Sequence, residues 1–429
     1  MQSKSFRWYG VITLFLIVAI SYIDRINIAV LITDPGFLDH MGIGRSDRVS
    51  QGLLTTAFLV GYGISAIVLT SFCSTLLGVR KSLLLGLTLW GVVTFFSPHF
   101  HNFELLVASR ILLGVAEGPL FSLAGHYIKA YFATHENGKP NAFVNMGTGL
   151  GLAIGYPFIG YLVVGHDWET SFHVLGIINI VIGIPLVLAF IRMPAPKATA
   201  ADLPKDAHAV TPLAQVGCIM SGALKTRYLL LLTVMTSAFL AYLWGASSWL
   251  PAYLKEARGF SMREMGWLAS LPQYATVAGV FIGGAIIDRI PRRQVPLMFV
   301  FCSVGVALSV LAAIQISHPY GAAYSLVAAS FCWGLMSPAY PSTVQYCARP
   351  EHVASAYGVV NGVGSLVAGF MPAIMGGVIA AVNGGAGGST GAGFYAGFAS
   401  LIGTQLVVLV CGLVLWLRER RSQQANPVH

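Results

Sequence analysis

VNMGTGLGLAIGYPFIG, residues 144–160, and VNGVGSLVAGFMPAIMGG, residues 360–377, are two versions of one pattern. Each sets Asn directly after Val, continues through a run of glycines, and reaches a proline (Pro157, Pro372) twelve or thirteen residues after the Val. The copies lie about 215 residues apart, half of a 429-residue chain. An apolar segment repeated at half the chain length points to a molecule of two like halves. The glycines read as close helix approach within a membrane. Neither copy follows a strand or keeps dinucleotide spacing, so a nucleotide loop is excluded.

The whole chain supports that reading. It is 56% hydrophobic and 10% charged, against about a quarter charged in soluble domains. Apolar runs long enough to cross a ~30 Å hydrocarbon core recur at 8–32, 49–76, 82–98, 103–128, 140–164, 171–191, 227–254, 264–287, 295–315, 320–346, 353–382 and 393–417. The expected fold is an all-α membrane protein. Twelve transmembrane helices form two pseudo-symmetric six-helix bundles, residues 1–192 and 226–417. The Pro- and charge-rich stretch 193–225 is a cytoplasmic linker, and 418–429 a cytoplasmic tail. The first run is too long and too charged for a cleaved signal peptide and is expected to be a membrane helix. A second echo joins GVRK (78–81) to GAIIDRIPRR (284–293).

The net charge of +9 is topological. Arg45, Arg48, Lys255, Arg258 and Arg263 fall on one side and Arg25 and Arg110 inside spans; the remaining 18 of the 25 Lys and Arg fall on the other side. That bias puts both termini in the cytoplasm and leaves no basic surface for nucleic acid. Six scattered cysteines form no disulfide or zinc pattern. Phosphate-loop, HExxH and exposed G-x-S-x-G motifs are missing, so neither enzyme activity, metal nor cofactor is expected. The absence of Asn-x-Ser/Thr sequons and the short tails favour a bacterial inner membrane, and a monomer is expected.

Asp24, Arg25, Arg110 and Glu117 sit inside apolar runs, where each charge costs about 2.5–3.5 kcal/mol even on insertion scales. Arg110 and Glu117 are seven residues apart, hence on one helix face about 10 Å apart, with Gly114 between them leaving room for a ligand or a long side chain. Arg25 and Arg110 lie at similar depths, roughly 10–12 Å from the outer end, and make a plausible clamp for a carboxylate. A purely structural alternative pairs Asp24 with Arg110, or Glu117 with Arg25, to lock helices together. Tyr22 shares a face with Arg25. Tyr62, Asn145, Ser337 and Asn361 are polar groups in apolar spans, and Trp244, Trp249 and Tyr253 are candidate cavity aromatics.

SYIDRINIAV (21–30), RILLGVAEGPLFS (110–122), WGASSWLPAYLKEARGFS (244–261) and GAIIDRIPRR resemble the anion:cation symporter branch of the major facilitator superfamily. That resemblance spans nearly the whole chain and implies the major facilitator fold, with substrate held between the halves. It matches Asp24 and Glu117 to proton-carrying acids, and Arg25 and Arg110 to substrate-anion and coupling arginines. Tyr22, Tyr62, Ser337 and Asn361 fall near its substrate cavity. The gating motif survives as Asp288, Arg289 and Arg293 in the second half; in the first, Arg80 remains but Ser71, Thr75 and Leu76 replace Gly, Asp and Arg. In span five, Gly147 or Thr148 stands where some sugar-acid carriers use a polar residue, leaving aromatic or small carboxylates open as substrates. The implied activity is import of a small organic anion with protons. An anion exchanger or drug/proton antiporter of the same fold is the alternative, and a membrane sensor a more distant one.

Overall fold

The computed structural model describes residues 4–73, 77–132, 138–193, 225–287, 289–348, 353–384 and 390–425. The first half runs α1 (Lys4–Leu31), a short α2 (Pro35–His40), α3 (Arg48–Phe72), α4 (Gly78–Phe96), α5 (Phe103–Glu117), α6 (Leu120–Tyr131), α7 (Gly138–Gly165), α8 (Trp168–Ile178) and α9 (Ile184–Phe190). The second runs α10 (Leu229–Ala252), α11 (Met262–Ile287), α12 (Val295–Gln315), α13 (Pro319–Met336), α14 (Ala339–Cys347), α15 (Val353–Ala368), α16 (Met371–Asn383) and α17 (Thr390–Ala425). Helix is what lipid demands, because the hydrocarbon offers no partner to an unpaired backbone N–H or C=O.

Among the described residues, eleven helical stretches are long and apolar enough to cross a membrane. The span expected at 320–346 is also present, in two pieces: α13 and α14 meet at Ser337–Pro338. Its counterpart breaks the same way, α5 and α6 meeting at Gly118–Pro119. Proline at these joints cannot donate the helical hydrogen bond and so begins a new segment. Between α8 and α9 a wide turn, Asn179–Gly183, carries the helix through. At the head of α8 the Thr170 backbone N–H binds Asp167 at 2.9 Å and holds its carboxyl below the usual carboxylate range. The segment expected as a polar tail continues α17 as far as Ala425. The expected linker lies, from 194 to 224, outside the described residues.

Packing repeats with the sequence. In the first half α1 lies on α7, α3 on α5 and α4 on α8; in the second α10 lies on α15, α11 on α13 and α12 on α17. In span order both halves pair one with five, two with four, and three with six. The seam obeys the same two-fold logic, with α7 against α11, α3 against α16 and α1 against α10.

Glycines register these pairs residue by residue. Gly61 lies against the backbone of Ile111 and Gly114 against that of Phe58, while Gly279 lies against Phe331 and Gly334 against Thr276. The expectation of a free space beside Gly114 is therefore corrected: the α3 backbone fills it. Gly114→Val drives methyl groups into the Phe58 carbonyl and the Tyr62 N–H, which cannot retreat as a flexible side chain would. The expected result is loss of folded protein in detergent size-exclusion chromatography. Gly284→Ala, where an added Cβ meets nothing within 4 Å, should leave the yield unchanged.

At the end of the bundle far from Lys4 and Ala425 the seam is tightly closed. Arg48 Nη1 donates to Glu256 Oε1 at 3.0 Å and its Nη2 donates to Oε2, joining α3 to the turn after α10. Lys255 Nζ donates to the Thr33 carbonyl at 2.6 Å. The Ala373 N–H donates to Thr56 Oγ1 at 3.2 Å, and the Tyr156 hydroxyl to the Ser247 carbonyl at 2.9 Å.

Candidate functional site

Asp24, Arg25, Arg110 and Glu117 are 1%, 4%, 4% and 0% exposed. Four ionisable groups this deep require compensation by one another or by a function. Adjacent residues on a helix point about 100° apart, so α1 aims Arg25 and Asp24 at different neighbours.

Arg25 faces α3, α5 and α10. Its Nε donates to Glu117 Oε2 at 2.8 Å, and Ser21 Oγ, one turn earlier on α1, donates to the same oxygen at 2.6 Å. Glu117 Oε1 is buried with no hydrogen-bond partner among the described residues, and so are Arg25 Nη1 and Nη2. Aromatic rings frame that free end of the guanidinium: Tyr22 at 4.3 Å, Tyr62 at 4.6 Å, Phe58 at 5.2 Å and Trp244 at 5.8 Å from its carbon to the ring centre. Tyr22 and Trp244 stack at 6.3 Å across the seam, so both halves contribute to the frame. Cation–π attraction holds the guanidinium without consuming its N–H donors.

Arg110 lies on the same phenyl ring, its guanidinium carbon 5.4 Å from the Phe58 centre, with Nε and Nη2 without a partner among the described residues. The two guanidiniums thus share one phenyl ring, which brings the expected pair together. Asp24 turns away from them toward α4 and α8. Its Oδ2 accepts from Asn179 Nδ2 at 2.6 Å, and Asn179 Oδ1 accepts from Trp90 Nε1. Of the two structural pairings considered, Glu117 with Arg25 is present. Asp24 has an amide rather than Arg110 as its hydrogen-bond partner.

The weaker candidates scatter. Tyr22 and Tyr62 belong to the cluster. Asn145 is exposed and gives its amide N–H to the Asn141 carbonyl of its own helix at 2.9 Å. Ser337 and Asn361 are half-buried on the second half, and no contact among the described residues ties either to Arg25. Ser337 nevertheless has a place in the symmetry. Matching Ile111 to Phe331 and Gly114 to Gly334 makes Arg110 correspond to Ser330 and Glu117 to Ser337, so charges in one half are replaced by hydroxyls in the other. Trp249 is an internal strut, its Nε1 donating to the Pro372 carbonyl, and Tyr253 donates to the Ala313 carbonyl. Of the gating motif, Arg80 donates to the Leu188 carbonyl at 2.7 Å and Arg289 to the Ala285 carbonyl at 2.8 Å. Arg293 borders a crevice with Trp416 and Arg420, and Asp288 lies outside the described residues.

Ser21, Phe58, Trp90 and Asn179 escaped the reading of the sequence. Asn179 carried a signal, being an amide in the apolar run 171–191; Phe58 carried none, since a phenylalanine in a membrane helix is unremarkable.

Residues 14–372 match the family model of the Major Facilitator Superfamily. Among similar proteins, a probable sulfoacetate transporter of Cupriavidus necator is 30% identical over 288 residues, covering 64% of this chain and 63% of that protein. A probable galactarate/D-glucarate transporter of Bacillus subtilis is 26% identical over 70% of this chain and 68% of its own. The hexuronate transporter of the same organism is 25% identical over 97% of both chains. Among solved structures, a bacterial homologue of the human lysosomal transporter Spinster, inward-facing and unoccupied, superposes with a TM-score of 0.74 at 17% identity over 97% of this chain and 98% of its own. A D-xylose–proton symporter does so at 0.74 and 15% identity, over 95% and 97%.

Proposed function

The chain belongs to the Major Facilitator Superfamily and is a transporter rather than an enzyme; on that premise we propose that it imports a small organic anion by proton symport and alternating access. The observation that carries this is Arg25: one edge of its guanidinium is held by Glu117, while both Nη atoms are buried, without a partner among the described residues, and ringed by aromatics. Such an end is a fork for a carboxylate or sulfonate. The names of the relatives, sulfoacetate, galactarate/D-glucarate and hexuronate transporters, fall in that chemical class.

Glu117 Oε2 accepts from two donors, the pattern of an ionised carboxylate. Protonation on the outside removes the charge that competes for Arg25 and frees the guanidinium for the anion. After the halves rock, deprotonation restores the pair and expels the cargo. Arg110, which shares the Phe58 ring with Arg25, keeps the neighbourhood positive while both acids are neutral. The charge bias of the loops supports an inner-membrane protein with both termini cytoplasmic, and on that reading the closed end of the seam is the external gate.

That gate gives a direct expectation. Arg48 is buried and Glu256 partly so; a hydrogen bond between charged groups contributes about 1.5–3 kcal/mol, and 1.4 kcal/mol is a tenfold change in a conformational ratio. Glu256→Ala should therefore raise the rate at which an external thiol reagent labels a Thr56→Cys reporter by about tenfold or more.

The function itself is tested by melting the purified protein with sulfoacetate, sugar acids, aromatic carboxylates, small dicarboxylates, sugar phosphates, neutral sugars and lipophilic cations, at a mildly acidic and a neutral pH. A ligand at a hundred times its Kd adds about 2.7 kcal/mol of stability, readable as a rise in Tm. One carboxylate or sulfonate class should stabilise, more strongly at the acidic pH. Stabilisation only by phosphates, cations or neutral sugars would overturn the organic-anion reading.

A further inference from the structure

Asn179 is fully buried where α8 passes into the Asn179–Gly183 turn, and its side-chain bonds determine its orientation. An indole N–H only donates, so the bond from Trp90 Nε1 fixes the Asn179 carbonyl oxygen toward α4. The amide nitrogen must then face the other way. It has two hydrogens, and both are used: one on the Leu175 carbonyl at 3.0 Å, the other on Asp24 Oδ2 at 2.6 Å. Close packing of α4 on α8 makes this reach possible, with Gly91 against the Asn179 side chain and Gly176 against Phe95.

We propose that Asn179, oriented by Trp90, is the positioning residue of Asp24: it holds one carboxylate oxygen as an acceptor and reserves the other for the transported proton. The proposal rests on the reading of Asp24 as a proton carrier. Asn179 has no free donor to give up and presents no acceptor to Asp24, so a proton on Oδ2 would lose the 2.6 Å bond. Oδ1, buried and without a partner among the described residues, is the remaining seat. The charged groups near enough to act on Asp24 are Glu117 and Arg110 from α5 and Arg25 from its own helix. From α4 and α8 it meets the neutral Trp90–Asn179 pair. The pair therefore acts on the proton affinity of Asp24 from α4 and the turn after α8, on the side away from the Arg25–Glu117 pair.

Infrared titration of the purified full-length protein tests this without any substrate. The probe is the carboxylic-acid C=O band that disappears in Asp24→Asn. Loss of an N–H bond to a carboxylate disfavours the ionised form by an amount equivalent to about one pH unit. The pH at which that band is half lost should rise by about one unit in Asn179→Leu. It should rise by less in Trp90→Phe, which keeps the packing but frees the amide to rotate and carries the test if Asn179→Leu does not fold. A titrating Asp24 band whose midpoint is the same in both variants as in the wild type overturns the positioning role alone. If no band that disappears in Asp24→Asn titrates in the wild type, the underlying assignment of Asp24 fails instead, whatever the variants do.

Discussion

Arg25→Lys should reduce anion affinity by about two to four orders of magnitude while leaving the protein folded. The lysine keeps a positive charge beside Glu117, so the buried carboxylate retains a counter-ion and the fold is not asked to bury an unpaired charge. What disappears is the planar fork. The two Nη groups are donors with no partner among the described residues, and hydrogen bonds to a charged partner contribute roughly 1.5–3 kcal/mol each. Losing two such bonds in fixed geometry corresponds to the stated loss in Kd. An ammonium also sits differently among Tyr22, Tyr62, Phe58 and Trp244, which accept a flat cation face-on. Isothermal titration with the best stabilising anion measures the effect, and Arg80→Lys, on the surface against Leu188, should show none. Equal affinity in Arg25→Lys would remove Arg25 from the substrate site.

Glu117→Gln should separate exchange from accumulation. The glutamine keeps the shape and an oxygen that accepts from Ser21 Oγ and Arg25 Nε, but carries no charge and takes no proton. Arg25 is then permanently free for the anion, as in the protonated wild type. Proteoliposomes carrying the variant should exchange external for internal anion, yet fail to concentrate it under an inward proton gradient. The accumulation ratio should fall from well above one to one. Continued concentration by Glu117→Gln would assign proton coupling elsewhere.

The sequence revealed the class of fold and the identity of the charged residues because both rest on strong local signals. A span-length apolar run has one reading in lipid, and a charge within it is conspicuous at any position. Seven-residue spacing placed Arg110 and Glu117 on one face, and the structure keeps them there. Direction was harder. Asp24 and Arg25 are neighbours in sequence, and only the packing of α4 and α8 on one side and of α3, α5 and α10 on the other separates their partners. Gly114 showed the same limit, since a missing side chain marks either a cavity or a close neighbour, and here the α3 backbone decided. Arg48 and Glu256 are 208 residues apart, and nothing local to either marks the other. Asn145 stood out in the sequence and Asn179 did not. One bonds its own helix and the other binds Asp24, a difference that depends on helix rotation rather than residue type.

The central claim is that anion and proton move together, and a pH electrode tests it most directly. Proteoliposomes in weakly buffered medium are given a pulse of the anion that best stabilises the protein, with no imposed gradient. Proton symport predicts that the external pH rises as the anion enters, that the rise stops when a protonophore lets protons return, and that it is absent with Glu117→Gln. Anion entry with no change in external pH, or entry that requires a counter-anion inside, would contradict proton coupling and leave an exchanger in its place.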